Sequence, residues 1–234
     1  MTKPLAIDLF CGLGGWTDGL IAEGYDVIGF DIERHVYGEH SYPAQLVVQD
    51  VLTLHGSQFK TADLIVASPP CQEYSYMAMP WSRAKAKAAA IRADDTGAEH
   101  VRLTALFDAC FRLQSEACEA AGRHIPMVVE NVKGAQPWVG RARWSFGSFY
   151  LWGDVPALMP TVYKGTKVAG FRFDGNGGSF QTASVEATKS MGVFGPEDHH
   201  PKRRFASAMI AKIPLPLSRY IAATFRPAIA EAAE

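Results

Sequence analysis

Cys71 follows the apolar run Ile65-Val66-Ala67 after only Ser68-Pro69-Pro70, and Glu130 closes a second apolar run, Met127-Val128-Val129. If both runs are buried strands of one parallel sheet, their ends bring a thiol and a carboxyl group to the same edge. A thiolate is a nucleophile, and a carboxyl group beside it can hold or move a proton. The two prolines disfavour helix around Cys71, so the thiol sits on a stiff loop. Packing is the competing role for a free cysteine, and a satisfied structural acid is the competing role for Glu130. A buried carboxyl is costly without a hydrogen-bonding partner, so Glu130 should have one.

A second chemical feature lies near the start. Asp8-Leu9-Phe10-Cys11-Gly12-Leu13-Gly14-Gly15 reads as a strand followed at once by a glycine-rich turn into a helix. Glycines at such a turn let the backbone approach a ligand. The Lys-Ser/Thr pair of a phosphate loop is missing, and so is the G-x-G-x-x-G spacing of a dinucleotide site. Asp31 ends the next predicted strand roughly 20 residues on, the distance at which an acid reaches ribose hydroxyls. Asp50, near the end of a third, is a candidate acceptor for an adenine amino group. Together these residues describe a site for an adenosine ligand without a diphosphate.

The elements that position these groups follow from periodicity. Strands are predicted over residues 5–10, 25–31, 46–51, 63–67 and 127–130, with a helix over 16–23. Leu103, Leu106, Phe107, Cys110, Phe111, Leu113, Ala117 and Cys118 recur at helical spacing up to Gly122, which predicts a crossover helix with both cysteines on its apolar stripe. The expectation is an α/β fold with a doubly wound, mostly parallel sheet, its core over residues 1–133. From residue 134 to 204 the texture changes to aromatic residues broken by Gly and Pro, which suggests a small strand- and loop-rich region. Residues 205–234 then read as helices returning to the core.

Composition sets limits. With 234 residues, 48% hydrophobic and 20% charged, the chain can bury one core and is not a disordered type. A net charge of −1 rules out binding nucleic acid through overall charge, so any such contact must be local. Arg83, Lys85, Lys87 and Arg92 form one basic cluster and Lys202, Arg203 and Arg204 another. Four cysteines without a C-x-x-C pair imply no zinc site and suit a reducing compartment. With no apolar stretch near 18 residues and no apparent signal segment, a cytoplasmic protein is expected. His199-His200 lacks a visible third ligand, so no metal is expected.

Three motifs in order carry a resemblance. The segment from Asp8 to Gly15, Ser68-Pro69-Pro70-Cys71-Gln72, and Val129-Glu130-Asn131-Val132 resemble the cofactor, nucleophile and glutamate motifs of the S-adenosylmethionine-dependent DNA cytosine methyltransferases that modify carbon 5. The chain looks like a compact phage-type or orphan member, and residues 211–217 weakly resemble the family's C-terminal cofactor-side motif, with Ala211-Lys212 in place of its Gly-Asn pair. The resemblance implies a Rossmann-like class I methyltransferase core with residues 134–204 as target-recognition region. It implies S-adenosylmethionine held by Asp8, Phe10, Gly12, Leu13, Gly14, Asp31, Ile32, Asp50, Val51 and Pro70. It also implies a flipped-out cytosine attacked at carbon 6 by Cys71 and held at N3 by Glu130. Double-stranded DNA is the implied partner, through the region 134–204 and a closing loop carrying Arg83, Lys85, Lys87 and Arg92. The family's Gln-x-Arg-x-Arg motif is reduced here to Arg141 and Arg143, which come early and are its candidate replacements. The short reader region leaves RNA, single-stranded or free cytosine nucleotides, or a silent nucleic-acid-binding role, as alternatives.

Overall fold

Alternating residues of the central strands supply two separate cores. Ile7, Leu9, Ile65, Ala67, Met127 and Val129 pack on one face of the sheet, and Ala6, Leu64, Val66 and Val128 on the other. This period of two, with both faces buried, is what a parallel sheet between helical layers requires. The computed structural model describes residues 2–74, 81–159, 204–205, 208–209 and 211–227. Its strands are β1 (Leu5–Leu9), β2 (Asp26–Asp31), β3 (Val36–Tyr37), β4 (His40–Ser41), β5 (Gln45–Val48), β6 (Leu64–Ala67), β7 (Met127–Asn131), β8 (Trp144–Phe146) and β9 (Phe149–Gly153). Its described helices are α1 (Gly15–Ala22), α2 (Trp81–Arg92), α3 (Ala98–Ala121), α4 (Gln136–Val139) and α5 (Leu215–Phe225).

The main sheet has seven strands in the order β5-β2-β1-β6-β7-β9-β8. The first five run parallel, and β9 is antiparallel to both of its neighbours. α3 covers one face through Leu103, Phe107, Cys110, Leu113 and Ala117, while α1 and α5 cover the other through Trp16, Leu20, Leu217 and Ile221. This is the doubly wound, Rossmann-like α/β arrangement expected from the sequence. Chain order reverses between β1 and β6, because the chain leaves β1 for β2 and β5 and returns to the opposite side of β1. Ligand crevices of such sheets open at that switch point, beyond the carboxyl ends of the two strands.

Several elements differ from expectation for local reasons. β5 stops at Val48 instead of continuing to residue 51, since Asp50 caps a 3₁₀ turn over Val51–Thr53 by accepting from the Leu52 amide at 2.9 Å. α3 begins five residues earlier than predicted, with the Glu99 amide donating to Asp94 at 2.8 Å, and ends at Gly122 (φ 64°) as predicted. Cys110 is fully buried on it, whereas Cys118 is half-buried at its edge and accepts from the Ile125 amide at 3.1 Å. The basic segment expected as a closing loop is helical: Arg83, Lys85, Lys87 and Arg92 lie in α2. Strands β8 and β9 complete the main sheet beyond residue 133, where the sequence reading ended the core. The Gly-rich turn at residues 174–179, His199-His200 and Lys202-Arg203 lie outside the described residues. Among the described residues no helix is long and apolar enough to cross a membrane.

α1 and α5 pack unusually close. A Cβ on Gly15 would collide with the backbone of Ile213, and one on Gly19 with Ser218 and the backbone of Arg219. In an exposed helix interior, Gly→Ala stabilises by about 1 kcal/mol. Here overpacking reverses the sign: Gly19→Ala should lose roughly 1–3 kcal/mol, read as a lower midpoint in urea unfolding. A stabilised Gly19→Ala protein would show that the two helices are not in that contact.

Candidate active site

The switch point opens into a cleft of about 570 Å³, within the usual range for small-molecule sites. One wall is the turn after β1 with Phe10, Gly12 and Leu13; another is the end of β2 with Asp31 and Ile32, and Asp50 and Val51 after β5. The loop after β6 supplies Ser68 to Gln72, including Pro70 and Cys71, and β7 supplies Glu130. Residues 211–213, just before α5, close the remaining side. The predicted nucleophile, the predicted glutamate and most of the predicted cofactor residues therefore share one cavity.

The turn is held by the acid it faces. The Gly12 amide donates to Asp31 Oδ2 at 2.9 Å, and the Gly14 amide to the Cys11 carbonyl at 2.7 Å. Gly12 and Gly14 have φ of 51° and 74°, and Phe10 lies at φ 57°, a conformation bulky residues rarely adopt. Burial raises the Asp31 pKa, but hydrogen bonds from His35 and Gly12 more than compensate and hold it below the ordinary carboxylate value. His35 Nε2 lies 3.5 Å from Asp31 Oδ1, and that partner raises the imidazole pKa. Asp31 thus stays ionised, the form that accepts from hydroxyl groups. Among the described residues, the lysine and arginine of the lining are committed: Arg204 pairs with Glu33 at 2.9 Å and Lys212 with Asp18 at 2.8 Å. An ionised acid with paired cations fits an adenosine ligand better than a diphosphate.

Cys71 is half-buried, and burial, then the nearby Glu130 charge, push its thiol up to about 11. Glu130 is buried, and desolvation pushes its carboxyl up to about 8, against a lowering hydrogen bond from Ser68. At neutral pH the carboxyl is therefore mainly protonated and able to donate. Backbone anchors fix the loop between them: the Ser68 amide donates to the Leu9 carbonyl at 3.1 Å, Asn131 Nδ2 to the Pro69 carbonyl at 2.9 Å, and Tyr74 OH to the Leu103 carbonyl at 2.7 Å. Glu73 adds ion pairs to Lys87 at 3.0 Å and Arg102 at 3.2 Å.

Some expected site residues fall elsewhere. Asp8 lies beneath the turn instead of in its lining, 1% exposed, where Thr17 Oγ1 donates to it at 2.6 Å and Tyr42 OH meets Thr17 at 2.7 Å. Gly14 supports the turn without lining the cleft. Arg141 and Arg143 are exposed and are not brought together with Cys71 and Glu130. They precede β8, two strands outboard of β7, or about 10 Å at ordinary strand spacing. In α2, Lys87 pairs with Glu73, and the Arg92 guanidinium lies 5.1 Å from the Trp138 ring centroid. Sequence reasoning missed Trp16, His35 and Arg204 in the lining; His35 follows Asp31 by one helical spacing, the only local signal among them.

Comparison with known proteins agrees with the motifs over part of the chain. Residues 5–87 match the family model for C-5 cytosine-specific DNA methylase, and over that interval the chain is similar to that family. A search of curated proteins gave no match. Among solved structures it is similar to one described as a DNA modification methyltransferase encoded within a prophage (E. coli), at 26% identity and TM-score 0.38, covering 57% of this chain and 33% of that one. It is also similar to the Entamoeba histolytica methyltransferase EhMeth, at 17% identity and TM-score 0.38, with 60% and 41% covered. Dnmt2 methyltransferase of S. pombe follows at 15% identity and TM-score 0.36, with 59% and 37% covered. The chain thus spans between a third and about two-fifths of the length of these structures.

The buried carboxyl gives a stability test. Glu130 titrates near 4.5 unfolded and near 8 folded. The stability contributed by its neutral form is complete below the unfolded value and is lost as pH rises through the folded one. Glu130→Gln removes that loss. The variant should gain on the parent protein steadily from about pH 5 to about pH 8 and then level off, reaching on the order of a few kcal/mol in urea unfolding. A stability difference that stays constant over that range would show that Glu130 is not raised.

Proposed function

We propose that the protein transfers a methyl group from S-adenosylmethionine to carbon 5 of cytosine in DNA, with Cys71 as nucleophile. The observation that carries the reading is the meeting of Cys71, Glu130 and the Asp31-anchored turn in one cleft. Asp31 would accept from the ribose hydroxyls, with Phe10, Asp50 and Val51 as the residues that would hold the adenine and Gly12 and Leu13 those for the methionine portion. When bound, the cofactor supplies an electrophilic methyl group.

Cytosine carbon 5 is too weak a nucleophile for that methyl group until carbon 6 carries a negatively charged adduct. The Cys71 thiolate adds to carbon 6, and protonated Glu130 donates to ring N3, drawing charge off the adduct. After transfer the carbon 5 proton is lost to a base and the carbon–sulfur bond breaks, returning the thiolate. The active pair is a thiolate with a neutral carboxyl, which has the same proton count as thiol with carboxylate. Activity therefore follows the singly deprotonated pair, rising as pH passes about 8 and falling near 11. A base in duplex DNA exposes only its edges, so the target is flipped out. Target reading falls, in this reading, to residues 134–204.

Labelled cofactor incubated with mixed-sequence duplex DNA should place label at carbon 5 of cytosine, and Cys71→Ser should abolish it. Duplex containing 5-fluorocytosine should trap a covalent adduct on the protein. Competition by transfer RNA or free cytosine nucleotides that outmatches duplex DNA would move the substrate to those classes; cofactor binding without label or adduct would remove the catalytic reading. A separate measurement addresses the cofactor half. Asp31→Ala should weaken S-adenosylmethionine binding by roughly 10- to 100-fold in calorimetry, the loss for hydrogen bonds to a charged acceptor. Unchanged affinity would place the ribose elsewhere.

A further inference from the structure

Ser68 stands between the cofactor-side helix and Glu130. The β6–β7 register pairs Val66 with Val128 and Ala67 with Val129, so the next residues, Ser68 and Glu130, come level at the strand ends. Both line the cleft. The Ser68 backbone is fixed by its amide bond to the Leu9 carbonyl, and the following carbonyl by Asn131. From the other side Trp16, in the first turn of α1, places Nε1 3.0 Å from Ser68 Oγ.

The direction of these bonds is determined by chemistry. An indole N–H only donates, so Ser68 Oγ accepts from Trp16. The hydroxyl's single proton is then released toward the Glu130 carboxyl, which comes level with Ser68 at the strand ends and whose ionised form Ser68 favours. We propose that Trp16 and Ser68 are positioning residues, a directed hydrogen-bond chain that holds one oxygen of Glu130 and leaves its other oxygen to face the reacting base. Trp16 is itself clamped, 2% exposed on a helix that packs against residue 213 with no room for a Cβ at Gly15. The chain thus ties the rigid α1 packing, and the turn that precedes it, to the proton on Glu130.

The electrostatic consequence is specific. A donor to the carboxylate favours its ionised form, opposing the desolvation that raises the group. Other titratable groups around Glu130 are the Cys71 thiol on the β6 loop, which interacts with it, and Tyr150 on β9, beside its partner Leu151. Asp8 and Asp31, at the ends of β1 and β2, act on each other on the cofactor side. Trp16 from α1 and Leu106 from α3 bring no charge to the cleft. Ser68 is therefore the neighbour that sets where Glu130 ionises on top of burial.

The inference rests on the methyl-transfer reading for its first test and is independent of it in the second. In the full chain, kcat/KM on cytosine-containing duplex should rise through about pH 8. Ser68→Ala should move that acid limb upward by about one pH unit, leaving the rate at pH 7 nearly unchanged and raising the plateau above the limb about tenfold. Ser68→Thr should restore the parent limb, and Trp16→Phe should shift it the same way by less. A Ser68→Ala protein with uniformly lower rates and an unmoved limb would overturn the inference, as would Ser68→Thr behaving like Ser68→Ala. The second test is the pH dependence of Cys71 alkylation by iodoacetamide, with Cys71→Ser subtracting the other thiols. Its rate bends where Glu130 ionises, without any methyl transfer. A bend that moves upward in Ser68→Ala supports the hydrogen-bond chain even if no DNA is methylated, and one that stays in place refutes it even if DNA is.

Discussion

Because β1 connects through α1 to β2 on one side and β6 connects through α3 to β7 on the other, the chain leaves the carboxyl ends of these two neighbouring strands in opposite directions. No connection can cover the gap between those two exits, and the gap is the cleft. Four of the groups placed there arrive at or next to a strand end: Phe10 after β1, Asp31 at the end of β2, Ser68 after β6, and Glu130 one residue before the end of β7. Each inherits the rigidity of a buried sheet, with β6 and β7 buried along their whole lengths. Precision at the site is thus a property of strand pairing before it is a property of side-chain contacts.

Burial has a second consequence, since it raises the cost of charge at the place where chemistry needs proton donors. Glu130 responds by titrating near neutrality, and the neighbouring thiol is held up by the same desolvation and by the carboxylate itself. Cys110 on α3 is the contrast: burial, with a smaller push from the Asp108 charge, holds its pKa far up, and it lies in the core instead of the cleft. Cys71 differs because a proton can be exchanged within the pair. Asp8 shows the opposite use of burial. Its Oδ2 is held by Thr17, its Oδ1 has no partner among the described residues, and its raised pKa favours a neutral carboxyl that fastens α1 to β1 through Thr17 and Tyr42.

Sequence reveals the site as far as its residues end recognisable elements. Cys71, Glu130 and Asp31 were legible because each follows an apolar run that only a buried strand explains. Trp16, Ser68 and Arg204 were not, because their roles exist only across contacts of 52 residues to Ser68 or 171 to Glu33, which no local pattern encodes. Arg141 and Arg143 are outside the cleft lining for a related reason: alternating arginines form a visible pattern that specifies no face, and the strand that follows them lies at the sheet edge. α2 was readable and was missed. Its alanine- and lysine-rich sequence favours helix by intrinsic propensity, but weak amphipathicity hid it from a reading based on apolar period.

The end of the chain completes the cleft by a route the motifs only hint at. Residues 211–213 reach the glycine turn because Gly15 and Gly19 let α1 and α5 approach without side chains between them. Earlier, Arg204 reaches Glu33, and Phe205 packs 5.6 Å from Tyr37 and 5.0 Å from His40 by ring centroids, on the small β3–β4 hairpin. These contacts fasten the same wall at its two ends, one through backbone proximity and one through an exposed ion pair with aromatic packing. The first is insensitive to salt, whereas the ion pair weakens with it. Glu33 also lies 3.6 Å from His35, whose imidazole holds Asp31 ionised. Loosening the Arg204 end therefore leaves the glutamate to His35 alone, which favours the imidazolium and with it the charge on Asp31. The wall and the acid that faces it are coupled through one glutamate at the rim.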